Sequence, residues 1–308
     1  MTSGASELAG TWFVVPTPFH DDGSLDLESQ RRLVEAARGW GVDGITVMGV
    51  TSEASLLAEE ERSSALDAIF AEASDRVPIV AGCSAADPNA VTSRIADARA
   101  RGAAGAMVAA PPGADIRDLP TQFGAWREGG VPLVIQDEPA ATGVTMSVEV
   151  LRRCIQAAGA RTVKLEAPPT ASKIAALLAA DPGLRVFGGL GGAYALAELR
   201  AGACGTMTGF AFPEIMAAIR RQAELGEWGR AAALYDRYLP LIQFEAQPVV
   251  GLAVRKELLR RRGVIETARC RREPELIDEG SGRELDDVLR RVRVAPRLGP
   301  GSISVPER

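Results

Sequence analysis

Eight short apolar runs, spaced roughly 20 to 35 residues apart, constrain the fold of this chain more than any other feature. Segments with helical spacing lie between several of them, at 27–38, 58–73, 90–101 and 174–180, and each combines an apolar stripe with charges. Strands that alternate with helices predict a parallel sheet, because parallel neighbours require crossover connections. The predicted strands are 11–15, 44–48, 78–81, 106–110, 132–135, 162–165, 184–187 and 205–208.

A repeated Gly-x-x-Gly motif supports this repetition. It starts at Gly41, Gly102 and Gly202, and each copy comes directly before a predicted strand. The first glycine can end a helix in the left-handed conformation, and the second lets the chain enter the sheet closely. Eight such units favour a closed (β/α)₈ barrel over an open doubly wound sheet, which usually has fewer strands and an early nucleotide loop.

The pattern also predicts the limits of four regions. We expect a flexible N-terminus at 1–9, the barrel at 10–225, a C-terminal helical region at 226–294 and a mobile tail at 295–308. The helical region contains three predicted helices, at 228–244, 249–262 and 283–293. The tail is predicted to be mobile because it contains prolines and glycines without periodicity.

Composition excludes several classes of protein. A formal net charge of -5 and a pI near 5.3 argue against a nucleic-acid or anionic-membrane partner. We expect a cytoplasmic protein, because no apolar stretch approaches the about 20 residues that span a bilayer and the first ten residues lack signal-peptide features. Four scattered cysteines form no CxxC pair, and His20 is the only histidine, so no metal site is predicted.

Lysine is unusually scarce. Of 35 basic residues, only Lys164, Lys173 and Lys256 are lysines. Surface charge is therefore carried by arginine, and a lysine within an apolar strand suggests an amine that can lose its proton.

Lys164 lies at the end of the sixth predicted strand, in the sequence Val163-Lys164-Leu165-Glu166. Side chains alternate along a strand, so Lys164 and Glu166 point to one face and the two aliphatic residues to the other. Active sites of such barrels lie at the carboxyl ends of the strands. A nucleophilic amine for a carbonyl substrate is one interpretation, and a buried structural ion pair is the other.

Four further strand ends carry candidate site residues. After the second strand, Thr51 and Ser52 offer hydroxyls and backbone amides that suit a carboxylate, although either could simply cap the next helix. The fifth strand is followed by Gln136 and by the shaped turn at 137–143. The seventh is followed by Gly189, where the backbone can approach a ligand or a strand closely. Thr208 closes the eighth.

With these residues in place, the chain resembles the family of dihydrodipicolinate synthase and N-acetylneuraminate lyase, over residues 10–290. The resemblance rests on Gly10-Thr11 and the segment 16–19, on 49–53 with Leu56, on Pro139 and Gly143, and on Lys164. It implies a Schiff base at Lys164, carboxylate binding by Thr51 and Ser52 with nearby amides, and usually a homotetramer. A homodimer is the other assembly that we expect.

The chain also departs from the pattern of the synthases. Gln136 stands where members that make carbon-carbon bonds carry a proton-relaying tyrosine, and an amide has no usable proton equilibrium near neutral pH. Ala141 replaces an arginine, Val50 a threonine, and the segment 111–112 a tyrosine. The departures resemble the branch that includes 2-keto-3-deoxy-L-arabinonate dehydratases, in which the residue matching Glu166 takes over acid-base work.

The leading hypothesis is dehydration of a 2-keto-3-deoxy sugar acid, with Lys164, Glu166 and Gln136 as catalytic residues. The predicted substrate-binding residues are Val50, Thr51, Ser52, Gly189 and Thr208. The protonated imine serves as the electron sink, so we expect no metal or organic cofactor. Two alternatives remain open: aldol or retro-aldol chemistry with pyruvate, and a non-catalytic barrel that binds a 2-oxo acid.

Overall fold

The computed structural model describes residues 8–294, and within it eight parallel strands close into a barrel in the order β1 to β8. Each strand pairs with the next along the chain, and β1 pairs with β8. This confirms the predicted (β/α)₈ class, and every predicted apolar run overlaps one observed strand. The strands are β1 (Gly10–Val14), β2 (Gly44–Val47), β3 (Ile79–Gly82), β4 (Gly105–Ala109), β5 (Leu133–Asp137), β6 (Thr162–Leu165), β7 (Arg185–Gly188) and β8 (Gly205–Thr208).

Helices cover the outside of the barrel and continue after the last strand. Their order is α1 (Leu27–Gly39), α2 (Glu59–Ala73), α3 (Pro88–Ala100), α4 (Leu119–Trp126), α5 (Pro139–Thr142), α6 (Val148–Ala158), α7 (Thr170–Ala180), α8 (Ala195–Arg200), α9 (Pro213–Glu224), α10 (Trp228–Glu245), α11 (Gly251–Arg261) and α12 (Glu279–Val292). No helix in the described range is long and apolar enough to cross a membrane.

Two helices begin at residues that their apolar periodicity does not predict, because a proline or an N-cap side chain sets the start. Helix α7 begins at Thr170, directly after Pro169, which is earlier than its apolar periodicity predicts. Helix α12 begins at Glu279 because the side chain of Asp278 accepts a hydrogen bond from the amide of Ser281. Two glycines in its first turn hide this start from a search for periodicity. The predicted mobile tail and most of the predicted flexible N-terminus lie outside the described residues.

Two apolar clusters follow from the alternation of side chains along the strands. One packs between strands and helices, and includes Phe13, Val163 and Leu165. The other fills the barrel interior, where the rings of Trp12 and Phe187 meet edge to face with centroids 6.2 Å apart. The interior is therefore solid, and a site can form only where the strands end. The remaining members of the interior cluster are Leu8, Val14, Val80, Met107, Val134 and Met207.

Candidate active site

A cavity of about 530 Å³ opens at the carboxyl ends of the strands. Its wall combines residues that follow β2, β5, β6 and β7 with residues from the C-terminal helical region. Polar groups converge on it from both sources, which is the usual form of a small-molecule site. The polar side chains of the wall include Thr51, Glu138, Glu166, Tyr194, Gln243, Glu245, Gln247, Arg255 and Arg272.

Lys164 and Glu166 lie on the inward face of β6 and its end, as the alternation predicts. The Nζ of Lys164 is 3.1 Å from the Oε2 of Glu166, and both side chains are more than nine-tenths buried. Glu166 lines the cavity, and Lys164 contacts it without being part of the wall. The contact with Glu166 therefore brings the lysine amine next to a group of the cavity wall.

Gln136 joins two carboxyl groups of the cavity wall. It pairs with Lys164 in the β5–β6 register. Its Nε2 donates to the Oε2 of Glu166 at 2.7 Å and to the Oε2 of Glu138 at 2.6 Å. Because one NH₂ group uses both of its hydrogens, the amide holds the two carboxyl groups side by side.

Gly189 lies directly against the side chain of Glu166. A Cβ at position 189 would lie 2.4 Å from both Cγ and Oε1 of that residue. The following amide, Leu190 N, donates to the same Oε1 at 3.1 Å. The glycine predicted to approach a ligand or a strand thus approaches a side chain of the protein, and only a residue without a Cβ leaves room for it.

Glu138 is a site residue that the sequence reasoning did not assign. Burial raises its pKa to about 7, with repulsion from the charge of Glu166 as the next cause. The positive charges of Lys164 and Arg272 and the hydrogen bond from Gln136 act in the opposite direction. The signal in the sequence was a second glutamate beside a barrel strand end, between Asp137 and a proline.

The loop after β2 places Thr51 and Ser52 in different environments. Ser52 Oγ donates to the carbonyl of Val15 at 2.6 Å and accepts from Gly49 N at 3.2 Å, so its hydroxyl holds the loop together. Thr51 lies on the cavity wall, and its buried Oγ1 has no hydrogen-bond partner among residues 8–294. A buried hydroxyl without a partner is costly, and a ligand oxygen would satisfy it.

Neither hydroxyl caps the following helix, because the N-cap of α2 is Ala58. Val50 and Thr51 instead begin a short 3₁₀ turn, Val50–Ser52, whose first amides have no acceptor within the turn. Val50 is also on the cavity wall. Thr208 is not brought to the cavity, because it follows the inward-facing Met207 and alternation directs it to the opposite face of β8.

The C-terminal region is fastened to this loop by Glu53. Its Oε2 lies 2.6 Å from the Nζ of Lys256 on α11, and neither side chain is exposed. Its Oε1 accepts the backbone amides of Arg271 and Arg272 at 2.8 and 2.7 Å. One carboxylate therefore sets the position of Arg272, which lines the cavity, relative to Thr51.

A second buried pair fastens the region to the other side of the barrel. Arg255 Nε donates to Glu245 Oε1 at 2.7 Å, and Glu245 Oε2 accepts the amide of Ala211, which follows β8, at 2.9 Å. Both side chains also line the cavity. The periodicity that predicts these helices contains no information about which of their charges face the barrel.

Comparisons with known proteins agree with this architecture. Residues 7–291 match the model of the dihydrodipicolinate synthetase family. The chain is 32% identical over 304 residues to L-2-keto-3-deoxyarabonate dehydratase from Azospirillum brasilense, with 95% of this chain and 97% of that protein covered. It is 33% identical over 271 residues to 4-hydroxy-tetrahydrodipicolinate synthase from Xanthomonas axonopodis pv. citri, covering 83% and 86%. The crystal structure of dihydrodipicolinate synthase from Rhodopseudomonas palustris superimposes with a TM-score of 0.86 at 32% identity, covering 92% and 97%.

Fold, site and comparisons together define the class of protein, a (β/α)₈-barrel enzyme of the lyase and aldolase type. The chain belongs to the dihydrodipicolinate synthetase family.

Proposed function

We propose that this protein is a Schiff-base-forming lyase that removes water from a 2-keto-3-deoxy sugar acid. The observation that carries the proposal is the contact of 3.1 Å between Lys164 and Glu166, beside an amide, Gln136, instead of a tyrosine. The similarity to a dehydratase of such an acid over nearly the whole chain supports it.

In the proposed reaction the amine of Lys164 attacks C2 of the substrate, and the carbonyl oxygen leaves as water to give a protonated imine. Glu166 takes a proton from C3, and the electrons of that bond reach the imine nitrogen. The resulting enamine expels the C4 hydroxyl as a second water, and hydrolysis of the imine frees the lysine. Water is consumed in the last step, so the net loss is one molecule.

The substrate carboxylate is assigned to the loop after β2. Thr51 Oγ1 and the first amides of the 3₁₀ turn, those of Val50 and Thr51, are donors without partners in the turn. Ser52 holds the loop in shape through its bond to Val15. Gln136 orients both glutamates and Gly189 leaves room for one of them, so these two residues act by positioning.

Retro-aldol cleavage to pyruvate is a second candidate. The similarity to a 4-hydroxy-tetrahydrodipicolinate synthase favours it, and Tyr194 contributes a half-exposed phenol to the cavity wall. The candidates share the imine and differ in which bond breaks next. Identification of the products from a panel of 2-keto-3-deoxy acids separates them: an unsaturated acid or its tautomer supports dehydration, and release of pyruvate supports cleavage.

Trapping with pyruvate and borohydride tests the imine itself. We expect one reduced adduct, and peptide mapping should place it on Lys164, with the peptides of Lys173 and Lys256 as internal controls. An adduct that survives in Lys164→Ala contradicts the assignment.

Glu166→Gln should still form the adduct but lose about 10²-fold or more in turnover. An adduct without turnover of any acid in the panel would instead support a barrel that only binds 2-oxo acids.

We further propose that the protein is a homotetramer or a homodimer, as the family resemblance implies. Light scattering on the purified protein gives the mass of the assembly directly.

A further inference from the structure

Glu138 has no role in the proposed steps at Lys164 and Glu166, yet it lies beside both groups. It follows β5 directly and lines the same cavity as Glu166. The two carboxyl groups accept hydrogen bonds from the same nitrogen of Gln136, at 2.6 and 2.7 Å. The two carboxyl oxygens that accept these hydrogen bonds can therefore be no further apart than the sum of the two distances. Both carboxyl groups can thus reach one small substrate.

Dehydration requires two proton movements on neighbouring carbon atoms. One proton leaves C3, and another must reach the C4 hydroxyl, because hydroxide is a poor leaving group. A base and an acid within a few ångströms of each other satisfy both requirements, and a pair of carboxyl groups in different environments is a common solution.

The contacts of the two glutamates differ in a way that assigns these roles. Glu166 is surrounded by donors, namely Lys164 Nζ, Gln136 Nε2 and Leu190 N, so it acts as an acceptor, and it lies beside the nitrogen that would carry C2. Glu138 accepts only from Gln136 among these donors, and through Oε2, which leaves Oε1 to carry a proton.

The charged groups that act on Glu138 are Glu166, Lys164 and Arg272. Burial and the charge of Glu166 outweigh the two cations and raise the pKa of Glu138 to about 7, so a large share of this group carries its proton near neutral pH.

We propose that Glu138 is the general acid that protonates the departing C4 hydroxyl, an assignment that rests on the proposed dehydration. As the enamine forms the C3–C4 double bond, the C4–O bond breaks and the oxygen takes the proton of Glu138, which becomes a carboxylate. Glu166 then holds the proton from C3, and its return to Glu138 through solvent completes the cycle without a further reactant.

The experiment compares wild type with Glu138→Gln, which keeps the size of the side chain but has no acidic proton. Two substrates are used, a 2-keto-3-deoxy acid that the wild type dehydrates and its analogue with fluorine in place of the C4 hydroxyl. Fluoride leaves without protonation. We expect the variant to lose about 10²-fold or more in dehydration and to eliminate fluoride at close to the wild-type rate.

Three further measurements separate an acid from a structural residue. The borohydride adduct of pyruvate and the exchange of its C3 protons in D₂O should be unchanged in Glu138→Gln, because both depend on Lys164 and Glu166. The wild-type rate of dehydration should fall as pH rises through about 7, and the variant should lack this limb. Glu138→Asp, which retains a carboxyl group, should recover part of the rate.

Dehydration at the wild-type rate in Glu138→Gln overturns the assignment, and so does an equal loss on both substrates, which would indicate disturbed positioning of Gln136. A wild type that forms the adduct but eliminates neither water nor fluoride overturns the proposed function, and the role of Glu138 with it.

Discussion

Single side chains determine the chemistry available at this site. An amide at position 136 cannot relay protons, but it can donate to two carboxyl groups at once, and it does so to Glu138 and Glu166. A tyrosine hydroxyl has one proton and could not hold both. An amide in place of the phenol therefore allows a second carboxyl group to be held at the cavity wall.

Gly189→Ala tests the position of Glu166 at the residue scale. The new Cβ would overlap the carboxylate and force it away from Lys164, and displacements of this kind cost about 10²-fold in rate. We expect such a loss of kcat with little change in Tm. Gly39→Ala is the matched control, because nothing lies within 4 Å of a Cβ at that helical position. Equal activity of the two variants would show that the carboxylate tolerates displacement.

At the scale of elements, the loop after β2 and helix α11 act as one unit. Glu53, Lys256 and the amides of Arg271 and Arg272 connect them in the interior. Burial lowers the pKa of Lys256, and the nearby Glu53 opposes this change. We propose that the barrel, 10–225, and the helical region, 226–294, fold together, because the site is built from both.

Lys256→Met tests this connection. Removal of one partner leaves the carboxylate of Glu53 buried without its cation, which should lower the free energy of unfolding by about 3–5 kcal/mol in urea titrations. The double variant Glu53→Gln with Lys256→Met should recover part of the loss.

The control for this experiment is Arg290→Met, which removes one partner of an exposed ion pair with Asp287. We expect a change within about 1 kcal/mol there. A similar small change in Lys256→Met would mean that the buried pair does not fasten the two regions.

At the scale of the whole molecule, buried acids make stability depend on pH. Burial raises the pKa of Glu198 to about 7, as it does for Glu138, whereas an unfolded glutamate ionises near 4.3. Between these values the folded protein binds more protons than the unfolded chain, so stability falls as pH rises. Glu61 has the opposite effect at low pH. Its hydrogen bond to Arg271 lowers its pKa to about 2, so stability falls as pH decreases towards that value.

We therefore expect the free energy of unfolding to be largest near pH 5 and to decrease towards pH 8. Glu198→Gln should remove about 1–3 kcal/mol of this decrease, since its amide does not titrate. Urea titrations at pH 5, 6.5 and 8 measure the slope. Glu279→Gln, at an exposed carboxylate, should leave the slope unchanged. A slope that Glu198→Gln does not alter would place the titrating group elsewhere.

The scarcity of lysine in the sequence indicated that each lysine has a role, but it did not distinguish a catalytic lysine from a structural one. All three lysines lie in contact with a carboxylate, Lys173 with Asp137, Lys256 with Glu53 and Lys164 with Glu166. Rarity therefore indicates that each lysine has a structural or chemical purpose, without saying which one. Lys164 is distinguished by its place at the end of a barrel strand, beside a carboxylate on the cavity wall.

The sequence alone determined the barrel and the face on which Lys164 and Glu166 lie. These depend on periods of two and 3.6 residues and on strand ends, which are local properties. The tertiary structure alone decided that Ser52 holds a loop, that Gly189 makes room for Glu166, and that Glu138 and Arg272 join the site. Those outcomes depend on contacts between residues far apart in the chain, and no local pattern records which distant residues will meet.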